Sequence, residues 1–369
     1  MADKLKDQFL QRPFFETLAR ELVAVHPAFD RSRFLHLLYD DGWEQRELKA
    51  RMRHAAEVLE KTLPSDYRKA LGLLMRVEGR FSGFDHLVFA DFVERFGVSD
   101  YEASIPALER LTTRTTAEFA IRPFIRQYPE RTMGQMLAWA KSDDEKIRRL
   151  ASEGCRPRLP WGDALQAFKK DPTPVLPILE ALKDDPSEMV RRSVANNLND
   201  ISKDHPDRAL EIAARWLKEK KARTPLVKHA LRGLLKKGDR RAISLFALDS
   251  EAKVKVVAVE VTPRRIPLGG RGSLRAELVS TGRSPQKLRL EYEMAFARPG
   301  GRQARKVFQI REVDLAPRQR LEISRKLDFF DRTTRKHHPG EHTATLVVNG
   351  RRTTTARFSL VRPAPARKK

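Results

Sequence analysis

The chain has 369 residues, 40% of them hydrophobic, and carries a net charge of +24 with a pI near 10.4. That length allows two or more domains with real cores, and the charge points to a polyanionic partner, nucleic acid ahead of an acidic membrane surface. Nothing in it reaches the roughly 18 consecutive apolar residues a membrane helix needs. The opening MADKLKDQFL has no signal-peptide core, and the single cysteine, Cys155, excludes an intrachain disulfide or a cysteine-based zinc site. The expectation is a cytoplasmic, nucleoid-associated protein.

Residues 7–62 carry helical periodicity, in Phe14, Phe15, Leu18, Leu22 and Val23 and again in Phe34, Leu35, Leu37 and Leu38, with Asp30 placed to cap the second segment. A helix over Trp43–Leu63 ends at Pro64, and helices follow over 65–78, 84–96 and 101–112. Thr115 and Thr116 then cap AEFAIRPFIRQYP, which puts Glu118 in a first helical turn, where an acid ordinarily serves the helix dipole. The stretch IRRLASEGCRPRLPWGD, 147–163, begins as a helix, stops at Gly154 and is kept from resuming by Pro157 and Pro160. It sets Arg156, Arg158 and Trp161 beside Glu153 and Asp163, a composition that fits either a salt-bridged connection or a site. Cys155 has no neighbouring histidine, which argues against a reactive thiol.

A repeat then becomes visible. Helix pairs run 132–141 with 144–153, 174–183 with 187–201, and 207–219 with 224–236. Their second helices align Ile147 with Val190 and Val227, and place Arg149, Arg192 and His229 in one register. This is the pattern of HEAT-like helical hairpins, an α-solenoid. Basic residues in register either track a phosphate backbone or are simply solvated. In 193–206, SVANNLNDISKDHP, residues Asn196, Asn197, Asn199 and Asp200 crowd a helix against their propensity, with Lys203 and His205 at its end. Side chains that bind a ligand explain this, and so do local capping bonds. Trp139 and Trp216 are expected in the core.

From 253 the period changes to two. At least seven short strands with turn signals between them predict an immunoglobulin-like β-sandwich, with Asn349-Gly350 as a hairpin turn. Residues 251–369 hold 28 basic and 11 acidic side chains, a net +17, which leaves +7 for the first 250. The expected domains are helical repeats over 1–250, the sandwich over 251–362 and a basic tail over 363–369. His337, His338 and His342 read as loop and strand start, not as a metal site.

With EFAIRPF at 118–124, IRRLASEGCRPRLPW at 147–161 and RRSVANNLNDISKDHP at 191–206 in that order, the sequence resembles the bacterial AlkC-type DNA alkylation-repair glycosylases, relatives of AlkD. The resemblance covers about residues 1–240, and the sandwich resembles an extra domain that some members carry. It implies a monomeric enzyme, without metal or cofactor, that excises cationic N-alkylated bases such as 3-methyladenine and 3-methylcytosine from duplex DNA by hydrolysis. It also implies that the lesion is not fully flipped, unlike the general case for glycosylases.

A base that already carries positive charge is a good leaving group. Catalysis then needs negative charge near C1′ and a positioned water. The three motifs supply Glu118, Glu153 and Asp200 for this, with Arg149 orienting a carboxylate or phosphate and Trp161 packing on the deoxyribose or lesion. Arg148, Arg156, Arg158, Asn196, Asn197 and Lys203 are the expected DNA contacts of the helical part, and Arg271 and Arg298, in glycine-rich loops, those of a second clamp on the sandwich. The alternative is a non-catalytic HEAT-repeat DNA-binding scaffold, which has no use for acids facing phosphate.

Overall fold

A computed structural model of the chain describes residues 5–246, 248, 251–331 and 335–362; the expected basic tail, 363–369, lies outside the described residues. Met1–Ala209 with Pro225–Ala230 form one compact unit, and Leu210–Thr224 with Leu231–Lys369 a second.

The helices are α1 (Leu5–Gln8), α2 (Arg12–Val25), α3 (Arg31–Leu38), α4 (Leu48–Thr62), α5 (Tyr67–Val77), α6 (Leu87–Phe96), α7 (Tyr101–Thr112), α8 (Arg122–Gln127), α9 (Pro129–Trp139), α10 (Glu145–Gly154), α11 (Gln166–Lys170), α12 (Leu176–Leu182), α13 (Glu188–Asp204), α14 (Pro206–Glu219), α15 (Thr224–Ala230), α16 (Arg232–Lys237) and α17 (Arg240–Ser244). None of them, among the described residues, is long and apolar enough to cross a membrane. Asp30, Asp66, Asp100 and Asp144 each accept a backbone N–H at the start of their helices, satisfying a donor that the helix itself cannot. In the helical pairs α9/α10 and α12/α13 the second helices also pack on each other, and α10 touches α7, α9, α12 and α13. Trp139 and Trp216 are buried, as the repeat pattern requires.

Two expected helices start more than a turn late. The one predicted from Trp43 begins at Leu48, because Trp43 turns inward against Phe15 and Tyr39 with the Arg51 guanidinium 4.8 Å from its ring. The one predicted from Ala117 begins at Arg122. Residues 118–121 form turns, and Pro123 has no N–H to extend a helical ladder back through them. Glu118 is therefore a turn residue and no helix-dipole partner.

The second unit holds eight strands: β1 (Val254–Thr262), β2 (Arg265–Pro267), β3 (Arg271–Ser280), β4 (Gln286–Ala297), β5 (Gln303–Leu315), β6 (Arg320–Asp328), β7 (Gly340–Val348) and β8 (Arg351–Val361). They form a three-stranded sheet, β1-β3-β6, and a five-stranded sheet, β2-β8-β7-β4-β5. Alternating residues such as Leu274, Leu278, Leu288, Leu290, Leu346 and Leu360 build the core between them. The eighth strand, β2, runs parallel to β8 for three residues and is too short to show a period. Asn349 and Gly350 both have positive φ, the conformation a two-residue hairpin demands. His342 is fully buried against Phe358, and its Nε2 meets the His338 carbonyl at 3.1 Å. α16 ends at Gly238 with φ 75°, where an added Cβ would lie 2.6 Å from the Gly350 carbonyl oxygen.

Candidate active site

The site is built on α10 and the loop after it. Ile147, Leu150 and Ala151 are buried in the core, while Arg149 meets Glu118 in the turn before α8 and Glu153 meets Ser193 on α13. Gly154 does not stop the helix by a left-handed turn. It lies inside the helix, where a Cβ would meet Ile121 at 2.6 Å and Met136 at 3.0 Å, and Cys155 follows as the cap. Glycine is required there for close packing with the preceding turn.

The loop is held by a residue whose role the sequence does not disclose, Arg122. Its buried guanidinium donates to the carbonyls of Gly154 (2.8 Å) and Arg156 (2.9 Å) from Nη1 and to that of Asp163 (3.1 Å) from Nε. Burial drives its pKa down to about 10. Only its place in the EFAIRPF motif marks it, since carbonyls distant in sequence leave no pattern.

Three acids converge. Arg149 lies 2.8 Å from Glu118 Oε2, which also accepts from Thr116 Oγ1 at 3.0 Å, and 4.0 Å from Glu153 Oε1. Arg156 donates to Glu153 Oε1 at 2.6 Å and to Asp200 Oδ2 at 2.9 Å. Ser193 donates to Glu153 Oε2 at 2.6 Å and Lys203 to Asp200 Oδ1 at 2.8 Å. Glu153, Arg156 and Asp200 are all buried. Burial works against the charge on Arg156, but Glu153 and Asp200 outweigh it and hold its pKa above the ordinary guanidinium value. Glu118 is different: its Oε1 accepts no hydrogen bond among the described residues and is not sealed from solvent. One continuous charge network thus joins the expected carboxylates, with one oxygen left free at its edge.

Trp161 sits past the prolines with φ 65° and is 62% exposed, so it is no lid on the core. Lys49 Nζ donates to its carbonyl at 2.7 Å, and its ring borders an apolar hollow shared with Phe119 and Met52. Asp163 is exposed, with Arg126 3.7 Å away.

Several expected DNA contacts are corrected by their surroundings. Asn197 is buried and donates to the Ser152 carbonyl at 2.8 Å and to the Cys155 sulfur, out of reach of any phosphate. Arg156 is spent inside the network. Arg148 makes a two-point ion pair with buried Asp185 and caps the Ser142 and Asp143 carbonyls, which makes it a helix–helix clamp. Arg158 pairs with Asp204 at 2.7 Å yet stays half exposed, and Asn196 Oδ1 meets the His229 Nε2 at 2.8 Å. Lys203 keeps an exposed stem beside Asp200. Cys155 is fully buried, and desolvation pushes its thiol up to about 12, so it is inert. On the sandwich, Arg271 is the first residue of β3, not a loop residue, with its guanidinium 5.3 Å from the Phe330 ring, while Arg298 is exposed just before the Pro299–Gly301 turn. Among the described residues no group of three His, Cys, Asp or Glu is arranged to hold a metal.

A helical region followed by a β-sandwich is the architecture of a class of DNA repair protein, as comparison with known proteins shows. Residues 45–236 match the family described as DNA alkylation repair enzyme, and residues 255–362 match the C-terminal Ig-like domain of YhaZ. The chain belongs to the DNA alkylation repair enzyme family, in its AlkC-type branch. It is 41% identical over 345 residues to the uncharacterized protein YhaZ of Bacillus subtilis (strain 168), covering 92% of this chain and 96% of that one. Its structure is similar, with a TM-score of 0.92 and 39% identity, to the alkylpurine DNA glycosylase AlkC of Pseudomonas fluorescens bound to DNA containing an abasic site analog, covering 97% of this chain and 100% of that one.

Proposed function

We propose that the chain is a monofunctional DNA glycosylase that hydrolyses the N-glycosidic bond of cationic alkylated bases, 3-methyladenine and 3-methylcytosine, in duplex DNA. As C1′–N cleavage proceeds, the electron pair leaves with the base and neutralises it. Positive charge grows on the sugar, and water adds to C1′. Glu118 receives the proton of that water through its free Oε1. Glu153 and Asp200, both paired with Arg156, add the negative field that favours the oxocarbenium-like sugar, and Arg149 fixes Glu118. Trp161 packs on the deoxyribose without the base being fully flipped. The observation that carries this reading is the single open carboxylate oxygen, Glu118 Oε1, at the edge of an otherwise saturated network. The likeness to an alkylpurine DNA glycosylase supports it.

Arg158, Lys203 and Asn196 contact flanking phosphates in this reading, and Arg271 and Arg298 place a second DNA contact on the sandwich. The working unit is a monomer in the cytoplasm, with the repair domain over 1–250 and the sandwich over 251–362. One observation favours a non-catalytic scaffold instead: both oxygens of Glu153 and of Asp200 are already occupied by protein donors.

Incubation with methylated duplex DNA and chromatography of released bases separates the two. Release of 3-methyladenine or 3-methylcytosine is expected, and Glu118→Gln should slow it by about 10²- to 10⁴-fold with affinity for undamaged duplex intact. Tight duplex binding with no base released leaves the scaffold.

A further inference from the structure

We infer that Lys49, in the first turn of α4, is a positioning residue for Trp161: its ammonium holds the Trp161 carbonyl and so sets the indole at the edge of the candidate site. The inference deepens the proposed function and rests on it for the nucleotide the indole meets.

The placement of Lys49 is unusual on electrostatic grounds. α4 starts at Leu48, and Glu47 gives it no side-chain cap. A cation in a first helical turn faces the positive end of the macrodipole, so an isolated helix disfavours lysine there. Among the described residues Lys49 has no carboxylate within ion-pair distance. Its ammonium instead spans 112 residues of sequence to donate to the Trp161 carbonyl at 2.7 Å. It also stands 5.7 Å from the ring centre of Phe119, the neighbour of Glu118. A hydrogen bond with a charged donor is stronger than a neutral one, which suits a tether.

Trp161 is a residue that needs one. Its φ of 65° is a conformation that side chains other than glycine rarely adopt. Its indole is mostly exposed and stacks on no other ring among the described residues. Arg122 fixes the carbonyls of Gly154, Arg156 and Asp163, on either side of the tryptophan, but makes no bond to Trp161 itself. Lys49 supplies the missing point. Its aliphatic stem, with Leu48, Met52 and Phe84, lines the hollow that the indole borders, so stem and ammonium act on the two halves of the same residue.

The test exploits the four tryptophans. Trp43, Trp139 and Trp216 are buried and Trp161 is exposed, so acrylamide quenching of the intact protein reads Trp161. Lys49→Met keeps the stem and removes the donor; Lys49→Arg restores a donor. Lys49→Met is expected to change acrylamide quenching of the Trp161 emission and to slow single-turnover base release by about tenfold, with the melting temperature unchanged and Lys49→Arg recovering both signals. Unchanged quenching in Lys49→Met overturns the tether. So does a loss of affinity for undamaged duplex with a shallower salt slope and unaltered quenching, which makes Lys49 a phosphate contact. If the unmodified protein releases no base, the proposed function fails while the quenching comparison still reads the tether.

Discussion

The two units of the molecule bury charge in different ways. In the helical unit, Glu153, Arg156 and Asp200 come from a helix, a loop and a second helix, and the network they form ends in an acid with an open oxygen. On the five-stranded sheet, Glu293 meets Arg352 at 2.6 Å and Arg305 at 3.4 Å, from strands of the same sheet, and both arginines stay exposed. The sandwich carries the greater net charge, yet pairs such as Glu293–Arg352 are the cross-strand kind that stabilise a sheet, and its buried pair, Arg289–Glu291, lies within one strand. Net charge thus names a partner class for the chain, while chemistry follows from charges drawn out of different elements and left incompletely satisfied.

This contrast can be broken most directly with one substitution in each unit. Arg156→Met strands two buried carboxylates and should cost about 3–5 kcal/mol in urea unfolding of the helical unit. Arg352→Met removes an exposed partner and should cost under about 1 kcal/mol. Equal losses would erase the distinction.

The pH dependence of the two units should run in opposite directions. Asp91 on α6 is buried with neither carboxylate oxygen hydrogen-bonded, and desolvation raises it to about 6. Its protonated form is favoured on folding, so its contribution is full below the unfolded pKa near 3.8 and lost as pH rises through about 6. Asp91→Asn should therefore stabilise the protein by about 3 kcal/mol at pH 8, with the gain vanishing toward pH 4. Glu293 is held low, first by its hydrogen bond from Arg352. Its contribution is present above the ordinary glutamate value and lost as pH falls through its lowered one, so Glu293→Gln should destabilise at neutral pH and matter least in acid. Melting curves of both variants from pH 3 to 8 measure this; parallel profiles would contradict it.

The smallest effect is expected at the sandwich's proposed DNA contacts. Arg271→Ala with Arg298→Ala should weaken duplex binding several-fold, uniformly across sequences, and flatten the salt dependence by about one to two charges. Affinity unchanged over a range of salt would remove the sandwich contact.

Much of this was legible in the sequence because it rests on periodicity and on breakers. The paired helices, the loop after α10 and the alternating strands all follow from apolar spacing, proline and glycine. What stayed hidden depends on partners. Asn197 and Arg148 look like surface donors until Cys155, the Ser152 carbonyl and Asp185 close over them. Arg122 reads as an ordinary basic residue, although it bonds carbonyls 32, 34 and 41 positions away. The motif marks Glu118 but not its setting, because Pro123 delays the helix that the spacing predicts from Ala117. Register tells which side a residue faces; it does not tell what waits there.

The meeting of Gly238 and Gly350 bears on how such a molecule can be assembled by recombination. Each glycine leaves room that the backbone of the other fills, at a distance where any side chain would collide. A sandwich grafted from another lineage thus cannot simply be joined at the change of composition near residue 251. It has to arrive with the hairpin glycine, onto a helix that already ends in one, because a side chain at either position would meet the backbone of the other.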